Sequence, residues 1–188
     1  INATRHNPSH LSSYELPENV RATGDFAQAL ADAEAIVLAL PSSHLRDVCG
    51  RMAPLVDPHA RVLVLTKGME PHTHKLMLDV AADELGHPER MAVLSGPNHA
   101  EEICLGQVSA AVVASSSHEI AEWLRDLVAT HCFRVYVGSD VRGVEVCAAL
   151  KNVVAIVCGI AAGLGAGDNT QAVVMTRGIA EIGRFSSA

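Results

Sequence analysis

The sequence predicts an α/β protein: a parallel sheet covered by helices on both faces, giving way near residue 140 to an all-helical region. Two observations carry this. Between residues 20 and 138, short runs that are apolar throughout alternate with amphipathic segments. Strands apolar on both faces, each followed by a helix, belong to a parallel sheet buried on both sides. After Asp140 the strand pattern stops and two long helical patterns follow. The expected division is therefore 1–139 for the sheet domain and 140–188 for the beginning of a helical one.

In order along the chain, Thr23-Gly-Asp25 is a turn before a short helix from Phe26 to Ala33. Glu34 to Leu40 reads as a strand ended by Pro41, after which Ser42 or Ser43 is expected to cap a helix carrying Leu45, Val48, Cys49, Met52 and Leu55. Arg61 to Thr66 is the next strand, Lys67-Gly68 its turn, and Lys75 to Leu85 a helix with Gly86 at its C-cap. Met91 to Leu94 is a strand, and Ser95-Gly-Pro97 leads into a helix from Ala100 to Leu105. Ser109 to Ala114 is a strand, His118 to Thr130 a helix, and Phe133 to Val137 a strand.

The helix from Val141 to Gly165 has two sides at helical spacing. Val146, Leu150, Val153, Val157, Ile160 and Leu164 form a bulky stripe, expected to be the packing seam. Cys147, Ala148, Lys151, Ala155, Cys158 and Ala162 form the other side, where the lysine is the one large group. Either Lys151 faces a ligand there, or it reaches water or a carboxylate such as Glu145 or Asp168, because an unpaired buried ammonium is costly. A membrane span is disfavoured by Lys151 and Asn152 in mid-segment. Gly163-Leu-Gly165-Ala-Gly167 follows a helix rather than a strand, so it is read as a corner before a helix from about Thr170 to Arg184, not as a dinucleotide loop.

The 188 residues are 49% hydrophobic with few aromatics, so a globular core built on Ala, Val, Leu and Ile is expected. A net charge of −7 and the lack of a basic run argue against nucleic-acid binding. Five widely spaced cysteines without a CxxC pair point to a reduced, cytoplasmic protein. Ten histidines scatter without metal-ligand spacing, so no metal is expected.

Ligands of doubly wound sheets bind at the carboxyl ends of the strands. Three such ends carry suggestive residues: Pro41-Ser-Ser43, Thr66-Lys67-Gly68 and Ser95-Gly-Pro-Asn98, the last opening a helix whose free N–H groups favour an anion. Each is also ordinary turn chemistry. Their agreement at one sheet edge, beside the helix bearing Lys151, favours a site.

In order, LPENV, LALPSS, LTKGME, LSGPNHAEE, FRVY, GVEVCAALKNVVAI and GLGAGDNTQAVVMTRGIAE make the chain resemble NAD(P)-dependent glycerol-3-phosphate dehydrogenases over nearly its whole length. The resemblance implies a Rossmann-type sheet domain lacking its first β-loop-α unit, then the start of an all-helical C-terminal domain. It implies NAD or NADP as cofactor and reversible reduction of dihydroxyacetone phosphate to sn-glycerol 3-phosphate for phospholipid synthesis, in a cytoplasmic homodimer without a membrane segment. Lys151 would be the proton donor and acceptor, and would bind substrate with Lys67, Gly96 and Asn98. Lys67, Ala100 and Pro41 would contact the cofactor. Bacterial members usually carry Ser or Thr, then Phe, where this chain has Asn98 and His99; asparagine keeps both hydrogen-bonding roles. The family's glycine-rich loop is expected before Ile1, and its catalytic aspartate and phosphate-gripping Arg-Asn pair after Ala188. The 188 residues alone are therefore expected not to turn over. A hydroxyacid dehydrogenase of the same broad group, and a non-catalytic nucleotide-binding or dimerising module, are the competing readings.

Overall fold

In the computed structural model, which describes residues 1–186, five strands form one sheet in sequential order: β1 (Ala35–Leu38), β2 (Arg61–Val64), β3 (Met91–Ser95), β4 (Ser109–Ala114) and β5 (Phe133–Gly138). The helices are α1 (Phe26–Leu30), α2 (Ser42–Met52), α3 (Met77–Leu85), α4 (Ala100–Cys104), α5 (His118–Val128), α6 (Val141–Gly163) and α7 (Asp168–Ser186). Every expected strand and helix is present, with ends shifted by up to a few residues.

Alternation along the strands explains the two-sided core. Val62 and Val64 of β2, with Met91 and Val93 of β3, face one side, where Leu45, Cys49 and Met52 of α2 and Met77, Val80 and Ala81 of α3 pack. Leu63, Ala92 and Leu94 face the other, against Ala121 and Leu124 of α5. Ser117 caps α5 by accepting the Ile120 N–H, and Gly86 ends α3 at φ 65°.

The sheet is mixed, not wholly parallel. β1, β2 and β3 run parallel, β4 runs antiparallel to β3, and β5 is parallel to β4. A parallel return needs a crossover connection of a dozen or more residues, usually built on an α-helix. α4 has only five residues, about 7.5 Å of rise, so the chain turns back beside β3 instead. The eleven-residue α5 is long enough to restore the parallel relation.

Two further expectations are corrected. Neither Ser42 nor Ser43 caps α2; Pro41 occupies the N-cap position with no side-chain bond, and its fixed φ of −58° suits the entry. On α6 the bulky stripe is not the seam with the sheet; its Leu150, Val153 and Val157 line a groove against α7 instead. The buried residues are Glu145 and Ala148, while Val153, Val157, Ile160 and Leu164 are exposed. Small side chains let the helix approach the sheet closely, and Val141 and Val144 complete the contact with the core.

By length and composition α6 could cross a membrane; here its first turns are seated on the sheet. The glycine-rich stretch after it is a helix-to-helix corner, with Gly165 at φ 79°.

Candidate functional site

The carboxyl ends of β1, β2 and β3 lie side by side, and side chains tie them together. Thr66, just past β2, accepts the Leu40 N–H through Oγ1 (3.4 Å) and donates to the Leu40 carbonyl (2.9 Å). Gly68 turns at φ 126° against Ser42, a conformation that favours glycine. Lys67 donates from Nζ to the Gly96 carbonyl oxygen at 3.4 Å, joining the turn after β2 to the turn after β3.

Lys67 is half-buried, and its ammonium is pulled below the ordinary lysine range by burial first and by the Lys151 charge second. The two lysines, 84 positions apart in the chain (151 − 67), thus lie close enough to feel one another. Lys151 borders an open cleft of about 330 Å³ with Ser95, Gly96, Val112, Cys147 and Ala148. Ser95, Val144 and Ala148 form the wall shared with the small space under Lys67. A larger apolar groove of about 590 Å³ runs between α6 and α7 and is lined by neither lysine.

Lys151 is exposed and donates to Asn152 Oδ1 at 3.2 Å. Of the two lysines, Lys67 has the drier surroundings. Glu145 and Asp168 do not pair with Lys151: Glu145 accepts the Leu78 N–H of α3 at 2.9 Å, and Asp168 opens α7. Sequence reasoning saw Glu145 only as a candidate counter-ion. The signal for its actual role, an α3 entry at Lys75-Leu-Met77 without Ser, Thr, Asp or Asn next to Met77, was present but unused.

Gly96 sits where a Cβ would overlap the Ala110 carbonyl oxygen and the Ala111 Cα. Close approach of β4 therefore accounts for the glycine. Asn98 is half-buried; its N–H donates to Gly96 O at 3.0 Å, while its Oδ1 is buried without a partner. Ala100 begins α4 and is exposed, as is Pro41. With five residues and no side-chain cap at His99, α4 is too short to supply the anion-binding end expected of it. Among the described residues no cluster of three metal-ligating side chains is present.

Two ammonium groups in adjoining spaces that share the wall Ser95, Val144 and Ala148 make a locally positive region on a chain of net charge −7. Such a site favours a small anionic guest with an oxygen that gains charge during reaction. The unsatisfied Asn98 oxygen suits a ligand that brings a hydrogen-bond donor.

Sheet topology and a lysine-lined cleft at the strand ends define the class: a Rossmann-type oxidoreductase domain. More narrowly, the chain belongs to the NAD-dependent glycerol-3-phosphate dehydrogenase family, whose N-terminal model matches residues 1–121 and whose C-terminal model matches residues 140–188. An NAD(P)+ glycerol-3-phosphate dehydrogenase of Shouchella clausii is 40% identical over 190 residues, covering 100% of this chain and 56% of that protein. The crystal structure of glycerol-3-phosphate dehydrogenase from Coxiella burnetii superposes with a TM-score of 0.92 at 36% identity, over 99% of this chain and 57% of that one. The enzyme of Saccharomyces cerevisiae gives a TM-score of 0.84 at 33% identity, over 98% of this chain and 55% of that one. The chain spans little more than half the length of the relatives it matches.

Proposed function

We propose that this chain carries the lysine-lined half of the active site of an NAD(P)-dependent glycerol-3-phosphate dehydrogenase, which interconverts dihydroxyacetone phosphate and sn-glycerol 3-phosphate for phospholipid synthesis. The observation that carries the reading is that Lys67 and Lys151 line adjoining spaces at the strand ends, separated by the shared wall of Ser95, Val144 and Ala148. Family membership supports the substrate class.

Bound nicotinamide supplies or accepts the hydride. On this reading Pro41, Lys67 and Ala100 contact the cofactor, and Lys67, Gly96, Asn98 and Lys151 contact the substrate. Negative charge that develops on the carbonyl oxygen is met by the Lys151 ammonium, which then hands over its proton; in the reverse direction the amine takes the proton back. Exposure at the cleft mouth lets Lys151 recover its proton from water. Lys67 stays bonded to the Gly96 carbonyl and holds positive charge beside the substrate phosphate. Asn98 Oδ1 has an acceptor to offer.

The same reading includes a homodimer in a reducing cytoplasm. Its supports are the exposed apolar side chains of α6 and α7, among them Ile156, Ile160, Leu164 and Val173, and five unpaired cysteines.

The test follows the absorbance of reduced nicotinamide in the full-length protein, offered dihydroxyacetone phosphate or an unphosphorylated β-keto acid. Oxidation with the phosphate ester alone is expected. Turnover of the keto acid alone would make it a hydroxyacid dehydrogenase; nucleotide binding with no turnover of either would make it a binding module.

A further inference from the structure

Glu145 is 7% exposed, among Val64, Val93, Leu94, Val144 and Ala148, with Thr66, Lys67 and Ser95 lining the same small space. Burying a carboxyl group in such surroundings costs free energy unless hydrogen bonds compensate. Here they do: Glu145 accepts the Leu78 N–H at 2.9 Å, and the Met77 N–H also bonds to it. Met77 and Leu78 are the first two residues of α3, and its N-cap position, Leu76, has no side-chain acceptor to offer. The free N–H groups of α3 are thus capped from 67 residues away, by a side chain of α6. Asp79 in the same turn of α3 and Arg142 on α6 are the charged groups that act on this carboxyl, in opposite senses.

We propose that Glu145 is a positioning residue for Lys151: by bonding to the first turn of α3 it fixes the register of α6, and so sets where the Lys151 ammonium stands relative to Lys67. The other buried contacts of α6, through Val144 and Ala148, are apolar and non-directional, so they resist sliding weakly. Asp140 bonds to the Gly143 N–H of its own helix and anchors it to nothing else. Between Glu145 and Lys151 the helix is continuous, and six residues span about 9 Å. A slip of one residue would turn Lys151 by about 100° and move it about 1.5 Å. The consequence for turnover rests on the function proposed above; the placement of Lys151 does not.

Two readouts in the full-length protein test this. The first is the titration midpoint of the Lys67 side chain by NMR, assigned through Lys67→Arg. Glu145→Ala and Glu145→Gln both remove the carboxylate charge beside Lys67, so they are compared with each other. The midpoint in Glu145→Ala is expected to lie above that in Glu145→Gln, which retains a carbonyl acceptor for α3, by as much as Lys151→Met raises it in wild type, and the difference is expected to vanish when Lys151→Met is already present. The second readout is kinetic: Glu145→Ala should lower kcat on the order of 10- to 100-fold with the KM for nicotinamide nearly unchanged, and Glu145→Gln should restore most of it. If Glu145→Ala does not fold, Glu145→Asp, one methylene shorter, takes its place with the same expectations. The proposal is overturned if the Lys67 midpoint is the same in Glu145→Ala and Glu145→Gln, or if the two differ equally with Lys151 absent. A wild-type protein without activity would sink the proposed function, while the titration would still decide the role of Glu145.

Discussion

The carbonyl oxygen of Gly96 accepts two hydrogen bonds, from Lys67 Nζ at 3.4 Å and from the Asn98 N–H at 3.0 Å. One backbone atom therefore organises the turn after β3 and orients the lysine after β2. Its position depends on β4, whose backbone lies so close that position 96 tolerates no side chain.

Gly96→Ala should consequently damage both packing and site. The new methyl meets backbone, which cannot rotate away, so a loss of about 1–3 kcal/mol is expected. Urea unfolding measures this, and the Lys67 side-chain NMR signal should shift in the same variant. Unchanged stability would show that β4 can move aside.

Glu145 gives stability a slope near neutral pH. Burial raises its carboxyl to about 7 from an ordinary 4.5. Between these values the folded state binds more protons than the unfolded one, so stability is highest below about pH 4.5 on this account and falls as pH rises through 7. The loss is roughly 3 kcal/mol by the usual conversion of a pKa shift. Glu145→Gln should flatten this part of the curve and be more stable than wild type at pH 8. Denaturant midpoints between pH 4 and 8 check the expectation; parallel curves for the two proteins would contradict it.

Lys67 acts in the alkaline range with the opposite sign. Its folded pKa lies below the ordinary 10.5, so the unfolded state binds more protons in the interval between the two values. Stability should rise with pH through that interval, and Lys67→Met should lack the rise. Lys151→Met should shrink it, because part of the depression comes from Lys151. Thermal midpoints from pH 8 to 10.5 decide this.

Arg46 of α2 holds the loop that carries Lys67. Its guanidinium takes Glu70 in two bonds (2.7 and 2.8 Å), Glu84 at 2.6 Å and Asp83 at 3.0 Å. Arg46, then Thr73, keeps the Glu70 carboxyl down at about 2. This contribution is present above about pH 4.5 and is lost as pH falls toward 2. Arg46→Ala should destabilise the protein at neutral pH and flatten its acid limb, read from urea midpoints between pH 2 and 6. An acid limb unchanged in slope would show that Glu70 gains nothing from Arg46.

Much of this was legible in the sequence because it is local. Runs such as Ala35-Ile-Val-Leu38 and Arg61-Val-Leu-Val64 have one reading in a compact protein, and Ser117 and Gly86 mark helix ends by chemistry that acts within a few residues. Most of the errors concern partners distant in the chain; the absent serine cap of α2 is the local exception. The direction of β4 depends on whether five-residue α4 can retrace β3, which apolar periodicity does not report. The seam of α6 was assigned to its bulky stripe, but close approach to the sheet selects the small side, Ala148 and its neighbours. Lys67 is the more buried of the two lysines because it follows an interior strand, while Lys151 lies where α6 leaves the sheet. Glu145 was paired with the wrong partner because its real one, the start of α3, is 67 residues back along the chain.

The central claim is that Lys151 moves the proton. The most direct test is kcat for Lys151→Ala in the full-length protein, with dihydroxyacetone phosphate and reduced nicotinamide, beside cofactor affinity measured separately. We predict a fall in kcat of about 10²- to 10⁴-fold with cofactor binding nearly unchanged, and little recovery in Lys151→Arg, whose guanidinium does not give up its proton. Near-normal turnover in either variant would contradict the account.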